Sequence, residues 1–95
     1  MKIEFTQAAI RDLQSLRQHI RGDDPMAARR VGERILQAVD IISKNLGIGR
    51  LIDRDDVREW SIPGLPYVIP YHASKDKLEI LRVFHVRRRR PDHWL

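Results

Sequence analysis

Between Leu46 and Val57 the hydrophobic period of this chain changes from helical to strand-like, and no other feature narrows its fold so sharply. Before the change, Ile10, Leu13, Leu16 and Ile20 recur at helical spacing, as do Ala28, Val31, Ile35, Ala38, Val39, Ile42 and Leu46. Thr6 suits the N-cap of the first helix, because its hydroxyl can accept from an otherwise unpaired first-turn amide. Gly22-Asp23-Asp24-Pro25 parts the two stretches: Gly22 can take a positive φ, Asp24 can cap, and Pro25 belongs at the first position of a second helix. Arg29 and Glu33, then Asp40 and Lys44, stand four apart on solvent-facing positions, and Gly47 offers a stop. Two helices so closely joined predict an antiparallel hairpin.

After the change, Val57 to Ile62 reads as a strand, Pro63-Gly64-Leu65-Pro66 as a turn and Tyr67 to Ala73 as a second strand. Ser74 to Lys77 makes a tight polar connection to a third strand, Leu78 to Val86. Ile80, Leu81, Val83 and Phe84 place apolar groups on both faces of that strand, which predicts a central position. Pro70 has no N–H to give to a ladder, so a free stretch or bulge is expected beside it. At the start of the chain, Ile3 and Phe5 alternate with Lys2 and Glu4 as a short half-buried strand. The predicted order is β-α-α-β-β-β. This is an α+β fold, a helical hairpin on a small, mainly antiparallel sheet, as one domain over residues 1–95. Residues 47–56 read as a loop whose Asp53, Asp55 and Asp56 form a solvated run.

The chain has no cysteine, which excludes disulfides and thiolate metal sites, and its four histidines lack a paired zinc spacing. Neither metal nor cofactor is expected. No apolar stretch is long enough to span a bilayer and no hydrophobic signal region opens the chain, so a cytoplasmic protein without a membrane partner is expected. A chain of 95 residues buries only roughly 60–65% of the surface its unfolded form exposes, so a covering partner matters for stability. Its charge is uneven. Residues 1–73 hold 11 Lys and Arg against 10 Asp and Glu, a net +1, whereas residues 74–95 hold 7 against 3, a net +4. Such a patch attracts anionic surfaces, whether nucleic acid or acidic peptide.

FTQAAIRDL at the first helix, the helical hairpin, VREWSIPGLPYVIPY across two strands and LEILRVFHVRRRRP near the end together resemble the RelE/ParE family of bacterial type II toxin–antitoxin toxins. The resemblance implies a small toxin held in a hetero-oligomer by a cognate antitoxin. It also implies one of two targets: RelE-like members cut messenger RNA in the ribosomal A site, and ParE-like members poison DNA gyrase. Fold alone does not choose between them.

Metal-free RNA cleavage needs a base for the 2′-hydroxyl, an acid for the leaving oxygen and cations for the phosphorane. Arg82 with His85 or His93 would supply these if the chain were a nuclease, and Trp94 could stack on a base. RelE-like proteins, however, usually add a C-terminal tyrosine and cationic residues on the preceding strands. Here Trp94 is the terminal aromatic and the strand from Tyr67 to His72 has no Lys or Arg. The resemblance therefore leans to the gyrase-directed branch. Its expected target and antitoxin contacts are Arg87, Arg88, Arg89, Arg90, Trp94, Tyr67 and Tyr71. Each also has a plainer reading: Arg82 as an ion-pair partner of Glu59 or Glu79, His85 as a hydrogen-bonded structural histidine, and the two tyrosines as core or groove lining. Arg29, Arg30 and Arg34 read as a solvated helix face. Only the four-arginine run lacks a sufficient bland explanation. A plain nucleic-acid-binding module is the remote third reading, but the chain lacks a recognition helix of basic and amide residues.

Overall fold

A computed structural model describes residues 1–53 and 56–87. Strand β1 (Lys2–Phe5) leads directly into α1 (Gln7–Asp23), where extended Thr6 accepts a hydrogen bond from the Ala9 amide at 3.0 Å. Asp24 is also extended. Its carboxylate accepts from the amides of Met26 and Ala27, opening α2 (Pro25–Lys44) with proline in the first turn. One residue thus ends a helix and starts the next, and the chain must fold back on itself.

The buried stripe of α2 is the expected one, with Ala28, Ile35, Ala38, Val39 and Ile42 inside. On α1 the expectation needs a correction: Ile10 is 44% exposed and Ala9 is fully buried. The inward line runs through Ala9, Leu13, Leu16 and Ile20, spaced by four, three and four residues, which follows a straight helix better than a line through Ile10.

The sheet contains six strands in the order β1-β5-β4-β3-β2, with β6 also on β4. The remaining strands are β2 (Arg50–Leu51), β3 (Val57–Ser61), β4 (Tyr67–Ala73), β5 (Lys77–Ile80) and β6 (Phe84–His85). Pairing is antiparallel except between β1 and β5. A short β2 inside residues 47–56 was not expected. It forms because Arg50 and Leu51 pair with Glu59 and Arg58, the Arg50 guanidinium lying 2.7 Å from the Glu59 carboxylate.

The single third strand expected over residues 78–86 is two strands. Tyr71 pairs with Ile80 and Val68 with Phe84, so Ile69 and Pro70 stand opposite three residues, Leu81, Arg82 and Val83. That is a bulge, beside the proline as expected but in the partner strand. β5 lies between β1 and β4, which bears out its central position.

The main core lies between the hairpin and one sheet face, where Ile69, Tyr71, Leu78, Ile80 and Val83 meet Ala9, Leu16, Ile35, Ala38, Val39 and Ile42. A second cluster, Val57, Val68, Leu81 and Phe84, occupies the other face. Among the described residues, no helix is long and apolar enough to cross a membrane.

Candidate functional site

Two candidate surfaces stand out: the end of the sheet, where the basic segment begins, and the groove of the hairpin. At the sheet end, α1 holds the bulge through side chains. Asp12 accepts from Arg82 Nε and Nη2 at 2.7 and 2.8 Å and from the Val83 amide at 2.9 Å, while the Thr6 hydroxyl donates to the Leu81 carbonyl at 2.7 Å. The bond from Asp12 raises the Arg82 pKa further, against the opposing effect of partial burial. Arg82 therefore pairs with Asp12, rather than with Glu59 or Glu79 as its place in the strand suggested. A partner 70 residues away cannot be read from local spacing.

His85 sits on β6 with its ring against Tyr67, centroids 5.4 Å apart and planes at 84°. Its Nδ1 accepts from the Arg87 amide at 3.0 Å, which places the proton of the neutral ring on Nε2. Arg87 is exposed and opens the arginine run. Arg88, Arg89, Arg90, His93 and Trp94 lie outside the described residues.

Tyr71 is fully buried in the core, so of its two readings the plainer one, as core, holds and that of a direct contact residue is corrected. Its hydroxyl donates to the Leu46 carbonyl and accepts from the Gly49 amide, both at 2.8 Å, and so fastens the segment after α2 to β4. Burial pushes the phenol above its usual pKa of 10.0. Tyr67 is only half-buried and remains near the surface beside His85.

Between α1 and α2 lies a groove of about 540 Å³. Leu13, Leu16, Ala28, Ile35 and Leu36 give it apolar walls, Arg17, Arg21 and Arg29 supply cations, and Glu33 adds a carboxylate beside Arg29. Gly32 lines it too, with nothing within 4 Å of where a Cβ would stand. Arg17 and Arg21 did not stand out in the sequence, although their four-residue spacing beside an apolar stripe was the available signal. Arg29 pairs with Glu33 at 3.5 Å on the exposed face, as expected. Arg34 instead donates to the Pro63 carbonyl and holds the β3–β4 turn.

Known proteins resemble this chain in sequence and fold. Residues 3–90 match the family model described as the ParE toxin of the type II toxin–antitoxin system parDE. A Sinorhizobium fredii protein described as "Putative toxin Y4kP" is 39% identical over 90 residues, covering 95% of this chain and 93% of that protein. Toxin RelE2 of Caulobacter vibrioides is 31% identical over 87 residues, covering 92% and 97% respectively. In three dimensions the chain superposes on a chain of a chromosomal ParDE toxin–antitoxin system from P. aeruginosa with a TM-score of 0.79 at 24% identity, covering 90% of this chain and 95% of that one. That solved structure supports the fold. With a helical hairpin on a sheet of the kind its sequence resembles, and a family model matched over nearly its whole length, this chain belongs to the RelE/ParE family of toxins of type II toxin–antitoxin systems.

Proposed function

We propose that this toxin stops growth by poisoning DNA gyrase, with the end of the chain from Arg87 as its main contact surface, and that its antitoxin masks the molecule partly through the hairpin groove. The observation that carries the reading is the state of Arg82. A nuclease built on this strand needs its arginine available for the phosphorane, yet this guanidinium is held bidentately by Asp12. β4 adds no Lys or Arg, since its sequence is YVIPYHA. Charge toward a target then comes from residues beyond the bulge, beginning with exposed Arg87.

The antitoxin reading rests on the groove. Apolar walls with Arg17 and Arg21, and Arg29 already paired with Glu33, suit an amphipathic helix carrying acidic residues. Acidic residues nearby in the antitoxin would also meet the arginine run.

A supercoiling assay with purified toxin, run beside a ribosome-dependent mRNA cleavage assay, tests the target. Inhibition of gyrase without mRNA cleavage is expected; cleavage with no effect on gyrase overturns the proposal. The second reading, a ribosome-dependent mRNA endonuclease, draws on His85, whose ring is oriented by both Tyr67 and the Arg87 amide.

A further inference from the structure

The bulge has a consequence for every residue after it. Continuing the register of Tyr71 with Ile80 would set Phe84 opposite Tyr67, but Phe84 stands opposite Val68 and His85 opposite Tyr67. A one-residue offset in a strand sends each following side chain to the other face of the sheet. The core partition identifies the inserted residue. Leu81 belongs to the cluster of Val68 and Phe84, whereas Val83 belongs to that of Ile69 and Tyr71. Leu81 and Val83 thus occupy alternate faces as though adjacent, and Arg82 is the extra residue between them.

An extra residue interrupts a ladder and leaves its backbone in need of partners. The Leu81 amide reaches the Pro70 carbonyl at 3.0 Å, and Pro70 has no N–H to return. Two more of these groups are met from the first helix and its cap: Thr6 takes the Leu81 carbonyl, and Asp12 takes the Val83 amide together with the fork of the Arg82 side chain. All three bulge residues are bound by two side chains of the first helix and its cap.

We propose that Asp12 is a positioning residue for toxicity: it holds the Arg82 bulge, and so selects the register that puts Phe84 on the far face, His85 against Tyr67 and Arg87 on the side from which the arginine run begins. The inference rests on the proposed contact role of that run, but not on gyrase being the target. A failed supercoiling assay would sink the target and leave the register untouched.

The test compares Asp12→Ala with the same variant lacking Arg82. Deleting the inserted residue makes two residues face two, so the native pairing of Phe84 and His85 no longer needs a clamp. Growth inhibition on induction without antitoxin is read beside the His85–Tyr67 ring contact by NMR. In Asp12→Ala both fall, toxicity by about tenfold, the scale of losing a set of charge-assisted hydrogen bonds. In the deletion background both recover. A folded Asp12→Ala protein that stays fully toxic overturns the proposal, as does one that loses toxicity with the ring contact intact. If Asp12→Ala does not fold, the deletion variant decides: ring contact with toxicity supports the clamp, and ring contact without it overturns the clamp. Should neither variant fold, hydrogen exchange on the unaltered protein decides. The Val83 amide is expected to be protected, and free exchange while the ring contact persists overturns the clamp.

Discussion

Tyr71 and Gly49 show what a single position can decide. A Cβ built on Gly49 would lie 2.7 Å from both Cε1 and the hydroxyl of Tyr71, so any side chain there forces ring and backbone apart. Gly49→Ala is expected to destabilise by about 1–3 kcal/mol, the usual cost of overpacking, measurable by urea denaturation. Tyr71→Phe keeps the packing but strands the buried Gly49 amide and Leu46 carbonyl, at a cost of about 1–3 kcal/mol. It also changes the pH response. Unfolded, the phenol ionises near 10; folded, burial holds it neutral to higher pH. The stabilisation is therefore complete below that unfolded value and is lost as pH rises through the raised folded one. Denaturation midpoints should fall on the alkaline side in the unaltered protein and fall less in Tyr71→Phe.

At the scale of elements, the two helices owe their ends to local chemistry and their pairing to a one-residue joint. Asp24→Ala should cost about 1 kcal/mol through loss of two capped amides, visible as a lower Tm. Gly32 makes the opposite prediction. It lies inside α2 with open space around it, and replacing a mid-helix glycine gains about 0.5–1 kcal/mol. Gly32→Leu should thus raise the Tm while filling the groove and weakening antitoxin binding in a titration. Unchanged antitoxin affinity would place that helix elsewhere. Exposed pairs such as Asp40 with Lys44 at 3.0 Å add only a few tenths of a kcal/mol.

For the whole molecule, the sheet's bonding to its last strand reaches Val86, whose amide donates to the Pro66 carbonyl at 2.9 Å. Removing residues 87–95 takes away the bond from the Arg87 amide to His85 and leaves that sheet bond in place. The truncated chain should unfold near the parent temperature while its growth inhibition collapses. A protein that fails to fold would contradict this division between scaffold and contact surface.

Sequence by itself determined the elements that rest on neighbours in the chain: the caps at Thr6 and Asp24, the α2 stripe, the Pro-Gly turn and the strand character of residues 57–62 and 67–73. These depend on periodicity and on side chains reaching backbone a few residues away. Tertiary structure alone decided the bonding of the Tyr71 hydroxyl to Leu46 and Gly49, the split of the last strand and the pairing of Arg82 with Asp12. Each of those joins residues far apart in the chain. A bulge's register depends on which distant groups can satisfy its backbone, and no local spacing records that.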